Sequence, residues 1–291
     1  MGLQIKLGVS TWLFTSPFQT SDAAKLFAKI RVMGYDKVEI AVEDPSLVDA
    51  VELNKQLQAN GLQPLICGAF GNSRDLTNED PAIQKTGLDY IETCLELSAS
   101  VGAPFLAGPM YAAVGKARMV PADQRKKEWE RAVTNLQKVC AMAASRGLEI
   151  ALEPLNRFES DLINRTEDVL KLIEDINHPV AKIGLDMFHM NIEEPDPKQA
   201  IIAAGSKLIH LQVAENYRGT PGTGSAPWKA YYEGLEAIGY RGTVCIESFT
   251  PENKELAGAV CIWRNLATSQ DAFAQEGIQF LEKWKSGEIY N

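Results

Sequence analysis

No apolar run in the chain approaches the roughly 18 residues that a membrane-spanning helix needs, so a helical membrane anchor is excluded on length. Positive charge is also short: 29 Lys and Arg stand against 38 Asp and Glu, for a formal net charge of -9. Nucleic acid and anionic membrane surfaces both require a basic face, so neither is an expected partner. The same balance disfavours a highly phosphorylated substrate. Paired cysteines are missing. Cys67, Cys94, Cys140, Cys245 and Cys261 lie far apart with no Cys-x-x-Cys. The N-terminal Met1-Gly2-Leu3-Gln4-Ile5-Lys6 lacks the basic start and apolar stretch of a signal peptide. Lys6 stands where a myristoylation pattern wants Ser or Thr. These readings place the chain in the cytoplasm with reduced thiols. All the cysteines but Cys67 read as small buried hydrophobes. No repeat, low-complexity tract or composition break divides the 291 residues, so one domain spanning 1–291 is expected.

What the chain does have is a regular alternation. Short β-rich runs occur at Lys6–Ser10, Lys37–Ala41, Pro64–Gly68, Phe105–Gly108, Glu149–Glu153, Lys182–Asp186, Leu208–Gln212 and Thr243–Glu247. Most are near-continuous apolar stretches such as Ile150-Ala151-Leu152, the pattern of strands buried on both faces of a parallel sheet. Amphipathic helices are expected between them: one from the cap pair Ser21-Asp22 to Met33, then roughly 47–60, 82–101, 123–146, 167–175, 197–204, 228–238 and 267–285. Several end at a glycine, including Gly34, Gly61 and Gly102, as a helix stop signal should. Eight β-then-α units of this length predict a closed (β/α)8 TIM barrel. A doubly wound open sheet is the less attractive alternative, since no glycine fingerprint follows the first strand.

In such a barrel the residues closing each strand gather at one mouth. Strand five closes on Glu153 and strand six on Asp186, with His189 just beyond. Strand seven carries His210 and Gln212, and strand eight closes on Glu247. Several carboxylates buried together need a positive counter-charge. Carboxylate and amide oxygens suit a hard divalent cation such as Mn²⁺ or Mg²⁺ better than Zn²⁺. Each residue alone reads as a barrel-end side chain in a local hydrogen bond; four on consecutive strands read as a site. The segment Ala214–Gly224, rich in glycine, reads as an irregular, backbone-exposed lid. It lacks the ending of a phosphate loop. Arg218 within it is as compatible with a surface arginine as with a clamp on a substrate oxygen.

Three segments carry a resemblance: Ala151-Leu152-Glu153-Pro154-Leu155-Asn156-Arg157-Phe158-Glu159, Gly184-Leu185-Asp186-Met187-Phe188-His189-Met190-Asn191, and Glu215-Asn216-Tyr217-Arg218-Gly219-Thr220-Pro221-Gly222. They resemble the D-tagatose/D-psicose (allulose) 3-epimerase family of xylose-isomerase-like barrels. Weaker echoes lie at Cys67-Gly68, Gly108-Pro109-Met110-Tyr111 and Ile262-Trp263-Arg264. The resemblance implies that Glu153 and Glu247 bind the metal and act as the acid/base pair, with Asp186 as a further ligand. It implies that Glu159 and His189 hold the substrate's carbonyl and adjacent hydroxyl. Arg218 would sit at the same end of the sugar, and Cys67 and Tyr111 in the pocket wall. One position departs: the family's epimerases usually place a metal-binding histidine where this chain has Gln212, whose amide oxygen also ligates hard cations. Hydroxypyruvate isomerases, a neighbouring branch, resemble this chain there. The implied activity is metal-dependent epimerisation of a free ketose at C3, with Mn²⁺, Mg²⁺ or Co²⁺, by a homodimer or homotetramer. An aldose–ketose or hydroxypyruvate-type isomerase, a 3-oxo-glycoside lyase and a silent sugar binder are the alternatives.

Overall fold

A computed structural model describes residues 2–290. Eight parallel strands close into a barrel in chain order. They are β1 (Lys6–Ser10), β2 (Lys37–Val42), β3 (Gln63–Gly68), β4 (Phe105–Gly108), β5 (Glu149–Leu152), β6 (Ala181–Asp186), β7 (Leu208–Val213) and β8 (Thr243–Ile246). Around them run α1 (Thr20–Met33), α2 (Ala50–Asn60), α3 (Pro81–Val101), α4 (Ala122–Ser145), α5 (Thr166–Ile176), α6 (Met187–Glu193), α7 (Pro197–Ala204), α8 (Trp228–Ala237), α9 (Lys254–Ala259) and α10 (Gln270–Ser286). Among the described residues no helix is long and apolar enough to cross a membrane.

Alternation along each strand divides its side chains between two layers. Val38, Ile40, Ile66, Leu106, Ile150, Ile183, Leu211, Val244 and Ile246 face outward and pack under the helices. Helix α5 shows how the covering layer is specified: Val169, Leu172, Ile173 and Ile176 recur at helical spacing and are all buried. The opposite set of strand residues, with Ala41, Leu65, Cys67, Phe105, Ala107 and Ala151 among them, fills the barrel interior.

The pairing of β6 with β7 is irregular. Ile183 pairs Leu208, but Gly184 pairs His210, so the register slips by one residue at Ile183/Gly184. Asp186 then comes level with Gln212. Because side chains alternate with a period of two, that one extra residue turns His210 and Gln212 into the interior and leaves Leu211 and Val213 to the outer layer.

Strand ends agree with the sequence reading to within a residue. Three differences are physical. Helix α1 starts at Thr20 with no side-chain cap, and Ser21 and Asp22 lie inside its first turn; the Thr20 hydroxyl instead accepts from the Asp49 backbone. Met187–Glu193, which none of the expected helices covered, is helix α6, capped by the Asp186 carboxylate accepting from the Phe188 N–H. Cys261 is exposed rather than a buried hydrophobe, because the chain turns there through a left-handed φ of 58° just after α9.

Candidate active site

A cavity of about 600 Å³ opens at the barrel mouth, where the C-terminal ends of the strands gather. Glu153, Glu159, His189, Arg218, Glu247 and Cys67 line it, below a rim that includes Trp12, Glu43, Phe249 and Leu256. Of the residues to which the resemblance gave a place in the pocket wall, Tyr111 does not line the cavity: it is buried, its hydroxyl donates to the Ile163 carbonyl, and Pro109 of the same loop touches the cavity instead. Asp186 and Gln212 are buried just beneath the lining residues.

The three carboxylates carry the electrostatics. Burial pushes Glu153 and Glu247 well above the ordinary carboxylate range, and the Asp186 charge pushes both further. Asp186 is raised to about 6 by burial, against the opposing pull of Arg218. Three acidic groups are thus held together where the Asp186 charge makes both glutamates harder to ionise, with Arg218 as the nearby cation. A divalent ion between them would relieve desolvation and repulsion together. The donors on offer, carboxylate oxygens and the Gln212 amide oxygen, are those that hard cations take.

His189 has ligand atoms within reach of the same group, since Glu153, Asp186 and His189 offer atoms within 4.8 Å of one another. Its tautomer argues for another role. The Asn156 backbone N–H donates to His189 Nδ1 at 3.1 Å, and a backbone N–H can only donate. Nδ1 is therefore the lone-pair nitrogen, and the neutral ring carries its proton on Nε2. Burial and the Arg218 charge both hold the ring neutral. Nε2, 3.5 Å from both Glu153 and Asp186, presents an N–H suited to a substrate oxygen.

Arg218 is fixed from several sides. Its guanidinium lies 4.1 Å from the Phe188 ring centroid and 4.7 Å from that of Phe249. Its backbone holds a left-handed φ of 61°, and its carbonyl accepts from the Ser248 hydroxyl at 2.8 Å. Nη2 stands 3.6 Å from Glu159 Oε1, whereas Nη1 is buried with no partner. A buried donor without an acceptor is costly, and here it borders a cavity that can supply one.

The loop carrying Arg218 is irregular, as its composition suggested, and exposed at Asn216, Tyr217 and Gly222–Gly224, but it is anchored from within. It folds around Glu215, which is fully buried. Glu215 Oε1 accepts from the Gly222 N–H at 2.9 Å and the Trp228 indole at 2.7 Å, and Oε2 from the Ala226 N–H at 3.0 Å. Gly222 makes the wrap possible, with a φ of 86° and a position where a Cβ would lie 2.3 Å from the Phe280 ring. Replacing Glu215 by alanine strands these donors, the buried Trp228 indole among them. The expected loss is about 3 kcal/mol or more of stability, read as a lower midpoint in a thermal melt followed by circular dichroism.

The sequence reading missed two residues. Asn156 lay inside a quoted segment but had no role there; its side-chain amide donates to Glu159 Oε1 at 2.9 Å. Glu39 of β2 was not singled out at all. It is fully buried inside the barrel, and its only sequence signal is a lone charge between Val38 and Ile40.

The family model described as Xylose isomerase-like TIM barrel matches residues 27–284. A protein named L-ribulose 3-epimerase, from Methylomonas sp., is 29% identical over 96% of this chain and 98% of its own length. One named probable ketose 3-epimerase, from Synechocystis sp., is 31% identical over 96% of both chains. The crystal structure of D-allulose 3-epimerase from Methylomonas sp. in complex with D-allulose superposes with a TM-score of 0.90 at 29% identity, covering 97% of this chain and 99% of that one.

Proposed function

As the chain belongs to the xylose isomerase-like TIM barrel family, we propose that it is an isomerase that epimerises free ketoses at C3. The observation that carries this reading is the buried trio Glu153, Asp186 and Glu247, whose carboxyls are raised by burial. A raised glutamate is basic enough to take a proton from carbon beside a carbonyl, a task an ordinary carboxylate does poorly. The relatives named as ketose 3-epimerases support the choice of substrate class.

The residues that would hold the ion are Glu153, Asp186, Gln212 and Glu247, with Mn²⁺ proposed and Mg²⁺ or Co²⁺ in the same class. Such an ion supplies Lewis acidity that polarises a carbonyl and favours negative charge on its oxygen. The rest falls to the chain. One of Glu153 and Glu247 takes the C3 proton from one face of the ketose. The electron pair moves into an enediolate, and the other glutamate returns a proton to C3 from the opposite face, inverting it. The Nε2–H of His189 and the free Nη1 of Arg218 donate to the substrate's oxygens, and Glu159 accepts from a hydroxyl. Cys67 forms part of the wall, and Trp12, Phe249 and Leu256 limit access of water to the reacting carbon. We place this activity in the cytoplasm, in one barrel domain that assembles as a homodimer or homotetramer.

Incubation with Mn²⁺ in deuterated water tests the reading, using D-allulose, D-fructose, D-tagatose, L-ribulose and hydroxypyruvate as candidates. The expected product is a C3 epimer of a ketose with deuterium at C3 and the carbonyl still at C2. Conversion to an aldose, or turnover of hydroxypyruvate alone, would overturn it.

A further inference from the structure

One charged side chain of the barrel interior has no direct part in the chemistry above. Glu39 stands mid-strand in β2 and reaches across the lumen to β7. Its Oε2 lies 2.6 Å from His210 Nε2, and its Oε1 accepts from Gln212 Nε2 at 3.0 Å. The same Gln212 nitrogen donates to Glu247 Oε1 at 2.7 Å. His210 packs against the Phe105 ring at a centroid distance of 5.3 Å, and its Nδ1 has no partner. An orphaned lone pair is tolerated better than an orphaned N–H. The ring proton therefore sits on Nε2 and is donated to Glu39.

This chain of bonds determines which way the Gln212 amide faces. Once Glu39 and Glu247 are ionised, as cation binding requires, both can only accept, so the two hydrogens of the amide NH₂ go to them and the amide oxygen is turned from both. A histidine at this position, ligating through one nitrogen, would have a single N–H for two carboxylates. The glutamine has two. Glu39 and Gln212 are in this sense a matched pair.

The geometry points to Glu39 as a positioning residue for the epimerisation. Through the Gln212 amide it holds Glu247 in place, and it keeps the amide oxygen rather than the nitrogen available to a cation. This rests on reading Glu247 as an acid/base group and Gln212 as a ligand. Outer partners of metal ligands commonly contribute about 10–100-fold to metal affinity or activity.

The test compares Glu39→Gln, Gln212→Ala and the double variant with the full wild-type chain. Mn²⁺ affinity is measured by titration calorimetry, kcat and KM on the preferred ketose, and folding by circular dichroism. Glu39→Gln should fold, lose about 10–100-fold in both Mn²⁺ affinity and kcat, and leave KM nearly unchanged. The double variant should be no worse than Gln212→Ala, because Glu39 acts through that amide. Unchanged affinity and kcat in folded Glu39→Gln, or losses that multiply in the double variant, would overturn the assignment. If Glu39→Gln does not fold, Glu39→Asp takes its place, since it keeps the charge but withdraws it by one methylene. Smaller losses of the same kind are then expected, and wild-type values for both quantities would overturn it. A wild-type chain that turns over no ketose would count against the proposed function, while the Mn²⁺ measurements would still decide the role of Glu39.

Discussion

Glu247→Gln and Glu153→Gln should each lower kcat by roughly 10²–10⁴-fold, the range lost when a general acid or base is removed. The amide keeps the size of each side chain but can neither take a proton from carbon nor return one. The same substitutions should not weaken the fold. Each carboxyl is buried beside others that raise it, so a neutral isostere removes a repulsion in the metal-free chain. Its melting temperature should hold or rise. Circular dichroism melts with the epimerisation assay check both halves. Near-wild-type turnover in either variant would remove that glutamate from the chemistry, and a collapse of the melting temperature would make it a structural residue.

The second large effect joins pH to the cation. Glu153, Asp186 and Glu247 all have folded-state values above their ordinary ones. The folded chain therefore binds protons that the unfolded chain releases, and stability falls as pH rises from the unfolded range near 4 through the folded values. For Asp186, raised to about 6, the contribution alone is on the order of 3 kcal/mol, present below pH 4 and lost by about pH 7. Chelator-treated protein should melt several degrees lower at pH 7.5 than at pH 5, through this group and the two glutamates. Excess Mn²⁺ at pH 7.5 should restore the difference by mass action. A metal-free melting temperature that climbs over that interval, or one indifferent to Mn²⁺, would contradict a carboxylate cluster built for a cation.

The barrel was legible because strands buried on both faces leave apolar runs that end in polar residues. Glu153, Asp186 and Glu247 close such runs and could be read off directly. What escaped has identifiable causes. Glu39 lies in mid-strand, one layer below the mouth, where a reading of strand ends does not look. Helices α6 and α9, with 7 and 6 residues, are too short for a helical period to emerge. The glycines of the Ala214–Gly224 segment suggested an exposed lid, but they also serve close packing around Glu215, a partnership between residues that spacing alone does not reveal. Tyr111 was carried by resemblance rather than by any local signal, and its hydroxyl is taken by Ile163.

The slip between β6 and β7 means that the proposed ligand set depends on counting as much as on composition. Pairing the two strands without the slip, at the present length, would set Leu211 level with Asp186 and face it into the lumen in place of Gln212, with every donor still present in the sequence. Point substitutions can exchange glutamine for histidine at that position without touching the frame. Change in this part of the chain is thus open to substitution, while the frame that sets Gln212 level with Asp186 has to be kept.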